Sequence, residues 1–144
     1  MKLAGTFDTP AAPDALRSLA ASPEVLAGVP AFRDVEVAED GSLRVEYYPV
    51  ISLGPIRFTT TITPGRVTDS SAAVAVRATR GSNLVDADLL LSFDPADGGS
   101  TVRWEADVLL GGTAASVGQR VGAEIVTRAI GDVLQAAAAA SARG

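Results

Sequence analysis

The first residues alternate in character. In "KLAGTFDT", Leu3, Gly5 and Phe7 fall on one side and Lys2, Thr6 and Asp8 on the other. A period of two predicts a strand. Pro10 and Pro13 break it, and "APDALRSLAASPEVLAGVPAF" then predicts two short helices. Pro13 and Asp14 suit the first turn of one. Ser22 is placed to cap the second, followed by Pro23 and Glu24, while Gly28 and Pro30 end it. Leu16, Leu19, Val25 and Leu26 are the positions expected to be buried.

From residue 32 the period of two returns. "FRDVEVAED" closes on Asp40-Gly41, a hairpin signal. "SLRVEYYPVISL" leads to Gly54-Pro55 and then "IRFTTTIT", after which Pro64-Gly65 predicts a turn before "RVTD". "SSAAVAVRATRG" turns at Gly81-Ser82-Asn83 into "NLVDADLLLSFD", and a turn from Pro95 to Gly99 leads into "STVRWEADVLLGG". Roughly six strands with hairpin-length connections make an antiparallel meander. Residues 113–142 then predict one helix on the order of 45 Å long. The order predicts an α+β fold. A curved antiparallel sheet of about six to seven strands wraps a long C-terminal helix, with two short helices after strand 1. This is the helix-grip architecture, in one domain over residues 1–144, with a cavity between sheet and helix.

The last helix carries a puzzle in its glycines, each of which costs roughly 1 kcal/mol relative to alanine inside a helix. Arg120, Glu124, Arg128 and Asp132 recur every four residues and predict a solvated stripe. Opposite lie Gly122, Val126, Ala129, Ile130 and Val133, with Gly118 and Ile125 on a flank. Gly111-Gly112-Thr113 lacks the lysine and spacing of a phosphate loop. Two explanations remain open: glycine as a spacer for close helix–sheet packing, or room left for a bound molecule. The expected inward sheet positions are Ile56, Phe58, Thr60 and Ile62; Ala72, Val74, Val76 and Ala78; Ala87, Leu89, Leu91 and Phe93; Val102, Trp104, Ala106 and Val108. Many are small.

Composition narrows the chemistry. The chain has no cysteine and no histidine. That removes thiolate nucleophiles, cysteine metal sites and the commonest general base and metal ligand. A net charge of −5 and a pI near 4.6 argue against a nucleic-acid face. No apolar run reaches the roughly 20 residues that span a bilayer, and the N-terminus is a poor signal peptide, so a soluble, cytoplasmic protein is expected. The pairs Asp86/Asp88 and Glu105/Asp107 fall opposite the apolar positions, on the expected outer surface with Arg57 and Arg77. No catalytic residue and no metal site is assigned. Tyr47 and Tyr48 must point to opposite faces. One should face inward and donate a hydrogen bond to a carbonyl, and Gln119 is a second candidate polar contact.

Three stretches carry a family resemblance: "ASPEVLAGVPAF", "VISLGPIRFTTTIT" and "VLLGGTAASVGQRV". In this order and spacing they resemble the carbon monoxide dehydrogenase CoxG family, across essentially the whole chain. Ala31 departs from the glycine often found after Pro30, and Leu16 stands where a tryptophan is common. The resemblance implies the Bet v 1/START-like (SRPBCC) superfamily. It also implies an accessory role beside a molybdenum-containing carbon monoxide dehydrogenase, and peripheral contact with the inner face of the cell membrane. An isoprenoid quinone such as menaquinone is then the natural ligand, with no covalent or metal cofactor.

The expected cavity residues are Tyr47, Phe58, Val76, Leu89, Leu91, Trp104, Gly118, Gln119, Gly122, Ile125 and Val126. The expected entrance is formed by Val29, Pro30, Phe32, Gly54 and Pro55. A carrier needs an apolar pocket of roughly 300–1,000 Å³ with a few polar groups. It would move the quinone between membrane and dehydrogenase. The alternatives are a recruitment or assembly factor that acts through its surface, and a polyketide cyclase-like enzyme, which the missing histidine disfavours.

Overall fold

The computed structural model describes residues 1–19, 22–48, 57–112 and 119–143. Strand β1 (Lys2–Thr9) is followed by α1 (Pro13–Leu19) and α2 (Pro23–Ala27), then β2 (Phe32–Val37), β3 (Leu43–Tyr47), β4 (Phe58–Val67), β5 (Ser71–Arg80), β6 (Asn83–Ala96) and β7 (Gly99–Gly111). Helix α3 (Gln119–Arg143) ends the described chain. The seven strands form one sheet in the order β1-β7-β6-β5-β4-β3-β2, and every neighbouring pair is antiparallel.

Alternation sets the inner face. In β7, Val102, Trp104, Ala106 and Val108 are buried while Arg103, Glu105, Asp107 and Leu109 between them are exposed. In α1 and α2, Leu16, Val25 and Leu26 are buried as their spacing predicts, and the side chain of Leu19 lies outside the described residues. Ser22 stands at the α2 N-cap, but its hydroxyl donates to Glu24 (2.8 Å) rather than serving as acceptor for a backbone N–H.

Two of the expected turns are placed differently. Pro64-Gly65 is not a turn: β4 runs through it to Val67, with a register shift between Pro64 and Val67. A bulge absorbs the proline, which lacks a ladder donor. The chain reverses instead at Thr68–Ser71, where Thr68 Oγ1 accepts from the Ser71 backbone N–H at 3.0 Å. In the β6–β7 connection, Pro95 and Ala96 still pair with Ser100 and Gly99. The turn is therefore the two residues Asp97-Gly98, with Gly98 at φ 76°, where glycine carries no steric cost.

Helix α3 comes close to β1, α1 and α2 and stands off from the middle of the sheet. Two apolar clusters fill the ends of this arrangement. One joins Leu16, Phe93, Val102 and Trp104 to Ile130, Leu134 and Ala137 of α3. The other joins Leu26, Val29, Phe32, Leu43, Val45 and Tyr47 to Ile125, Ala129 and Val133. The space between them is where the site lies.

Candidate functional site: a cavity between sheet and helix

The inner faces of β4, β5 and β6 are built largely from short side chains: Thr60 and Ile62, then Ala72, Val74, Val76 and Ala78, then Val85, Ala87, Leu89 and Leu91. Across from them α3 presents Gly122, Ile125, Val126, Ala129, Ile130, Val133 and Leu134. Together they enclose a cavity of about 200 Å³ with an almost wholly apolar wall. Short side chains on a sheet that curves away from the helix leave a gap, which ordinary packing would otherwise close.

Of the residues expected to line it, Tyr47, Phe58, Val76, Leu89, Leu91, Gly122, Ile125 and Val126 do so. Trp104 does not. Its indole lies on β1 at Gly5, its cross-strand partner, so close that a Cβ there would stand 2.6 Å from the ring. The tryptophan faces inward as the alternation requires, but it fills the core beside the cavity. Gly118 and the side chain of Gln119 lie outside the described residues.

The expected entrance fares differently. Val29 is 1% exposed and packed in a core cluster. Phe32 is 8% exposed and meets Tyr47 edge-on, with ring centroids 5.4 Å apart, so it forms wall rather than rim. Both are held inward by the packing of α2 against β2. Pro30 is exposed, and Gly54 and Pro55 lie outside the described residues.

Polar groups on the wall are few. Tyr47 turns inward, 6% exposed, whereas Tyr48 turns outward with the Arg33 guanidinium 5.6 Å above its ring. Burial, and secondarily the charge of Asp132, pushes the Tyr47 phenol up to about 12, against an opposing effect of Arg128. It therefore keeps its proton at neutral pH and remains a donor. Its hydroxyl forms no hydrogen bond with the described residues. Thr60 is buried and donates to the Phe58 carbonyl at 3.3 Å, which leaves its oxygen able to accept.

Arg17 is the charged side chain on the wall among the described residues, and the periodicity gave no hint of it. Its Nη1 donates to Asp14 Oδ1 at 3.1 Å and to the backbone carbonyl of Asp69. Pro64, Val67 and Ala73 were also unforeseen as wall residues. They follow from β4 continuing past the proline.

The outer face is different in kind. Arg77 lies 3.6 Å from Asp86, and a hollow of about 510 Å³ there is lined in part by Asp86, Asp88 and Asp107. It is a solvated surface, as the sequence implies. Among the described residues no group of three or more acidic, histidine or cysteine side chains is placed to hold a metal ion. No described helix is long and apolar enough to cross a membrane.

The profile of the carbon monoxide dehydrogenase CoxG family matches residues 5–140. No curated protein matches the chain. Among solved structures, a conserved protein from Geobacillus kaustophilus superposes with a TM-score of 0.85 at 14% identity, covering 99% of this chain and 96% of that one. A START superfamily protein from Mycobacterium smegmatis gives 0.70 at 10% identity, covering 99% and 97%. The di-domain ARO/CYC BexL gives 0.70 at 12% identity, covering 96% of this chain and 48% of that one. At these identities the structural likeness establishes the fold, which is the Bet v 1/START-like helix grip.

Proposed function

The chain belongs to the carbon monoxide dehydrogenase CoxG family, and on that premise we propose that it binds an isoprenoid quinone, menaquinone or a close relative, and carries it between the membrane and a molybdenum-containing carbon monoxide dehydrogenase. The observation that carries this reading is an apolar cavity with a protonated tyrosine hydroxyl on its wall that makes no hydrogen bond to the described residues. A quinone is a flat apolar ring with carbonyl acceptors and an apolar tail. Tyr47 supplies the donor for a carbonyl, and the aliphatic wall takes the ring.

Size favours a particular pose. A volume of about 200 Å³ is below the roughly 300–1,000 Å³ of pockets that engulf a whole drug-sized ligand. It suits a ring and the start of a tail. The β4 part of the wall extends from Phe58 to Val67, a span of roughly 30 Å at the usual strand rise. We therefore orient the ring toward Tyr47 and the tail along β4. The dehydrogenase supplies the electrons; this chain binds, orients and keeps water from the ring. It acts as a carrier rather than an enzyme, from the cytoplasm with peripheral contact at the membrane.

The single tryptophan offers the test. Trp104 pairs across the sheet with Leu91, a wall residue, so a bound quinone quenches its fluorescence. Titration with short-tailed menaquinone should quench saturably at about one equivalent. Quenching that stays linear, as for collisional contact, contradicts the reading. The assembly-factor alternative predicts no saturable quenching while binding to the dehydrogenase survives.

A further inference from the structure

Along β4 the described wall of the cavity reaches the protein surface. Pro64 and Val67 are both wall residues and both exposed, Val67 to 60%. An apolar side chain that is at once wall and surface marks an opening. At the other end of the described wall, Leu26, Phe32, Tyr47 and Thr60 are all buried.

Across this opening runs one polar tie. Arg17 of α1, itself 21% exposed, reaches over to the Asp69 carbonyl at the β4–β5 turn while Asp14 holds the same nitrogen. Both anchorages are firm. Leu16 fixes α1 in the core, fully buried. The turn is tied by the Thr68–Ser71 hydrogen bonds, and the Ser70 carbonyl accepts from the Phe93 backbone N–H at 2.7 Å. We propose that ligand enters and leaves between α1 and the β4–β5 turn, and that the Arg17–Asp69 contact is the latch that holds this mouth closed. The latch joins a side chain to a backbone carbonyl, so it opens by separation of α1 from the turn. Around it, Pro64 and Val67 give an apolar tail a surface to slide along.

This rests on the cavity reading but not on the identity of the ligand, so the probe is N-phenyl-1-naphthylamine, a neutral apolar fluorophore. The chain has no cysteine, so Arg17→Cys with Asp69→Cys gives a protein with two thiols and a clean background. The thiols are bridged with a bis-methanethiosulfonate and released by reductant. Stopped-flow uptake and release of the dye should slow at least tenfold on bridging and recover on reduction, with Kd changed less than the rates. In the single variant Arg17→Ala, both rates should rise on the order of tenfold, the effect of losing one charge-assisted hydrogen bond. Unchanged rates on bridging overturn the proposal and move the mouth elsewhere. A faster release with unchanged uptake in Arg17→Ala, so that Kd rises in proportion, also overturns it, making Arg17 a ligand contact. If the dye kinetics respond as stated but menaquinone does not bind, the latch stands and the quinone reading falls.

Discussion

Tyr47 and Tyr48 are adjacent and chemically identical, yet they have opposite surroundings. Alternation in the sequence requires that one face inward. It does not say which, because the strand's facing is set by its pairing with β4, where Tyr47 opposes Phe58. Burial favours the neutral phenol of Tyr47, so its contribution to stability is fully present below the unfolded value near 10 and is lost as pH rises through about 12. Absorbance at 295 nm should show one tyrosine titrating near that upper value, and Tyr47→Phe should abolish that phase. The same variant should weaken menaquinone binding by roughly tenfold, one hydrogen bond's worth, at neutral pH. Gly5 makes a different residue-scale demand. The Trp104 ring occupies the space of its missing side chain, so Gly5→Ala overpacks the core by about 1–3 kcal/mol. Thermal unfolding should fall on the order of 5 °C, while an unchanged midpoint would mean that the indole moves freely. Arg17 was illegible in the sequence for a physical reason: its partner is a backbone carbonyl 52 positions away, and backbone acceptors leave no trace in residue type.

At the scale of elements, α3 resolves the glycine question differently at different positions. A Cβ on Gly122 would meet Leu110 Cδ1 at 3.1 Å and Met1 Cε at 3.6 Å. Gly122 therefore serves both explanations, lining the cavity and letting β7 approach. Gly131 serves neither, since a Cβ there meets nothing within 4 Å. Gly131→Ala should gain about 1 kcal/mol of helix propensity and raise the unfolding temperature by roughly 3 °C. A loss of stability would show that the backbone there needs glycine. The inward face of α3 was legible because a 3.6-residue period sustained over many turns is a strong signal. The course of β4 was not. Pro64-Gly65 is a turn signal by local chemistry, and only the pairing with β5 turns it into a bulge. That single difference puts Pro64 and Val67 on the cavity wall.

For the whole molecule, element order alone was enough to reach a helix grip, because few architectures bury a meander against one long helix, while the residues left open whether the space between sheet and helix is filled. The cavity's size and polarity needed the structure, since they depend on how far α3 stands from β4 to β6. Enlarging a wall residue tests whether that space is the site. Ala129→Leu puts a bulky side chain into the cavity opposite the sheet. It should lower menaquinone affinity at least tenfold while the fold, and any binding to the dehydrogenase, persist. Retained affinity would place the ligand elsewhere.

The most direct measurement is organic extraction of the purified protein, with mass spectrometry of the extract against a mock purification. The account predicts an isoprenoid quinone at near-stoichiometric amount, diminished in Ala129→Leu. An extract free of quinone, from a protein that also fails to bind added menaquinone saturably, would contradict it.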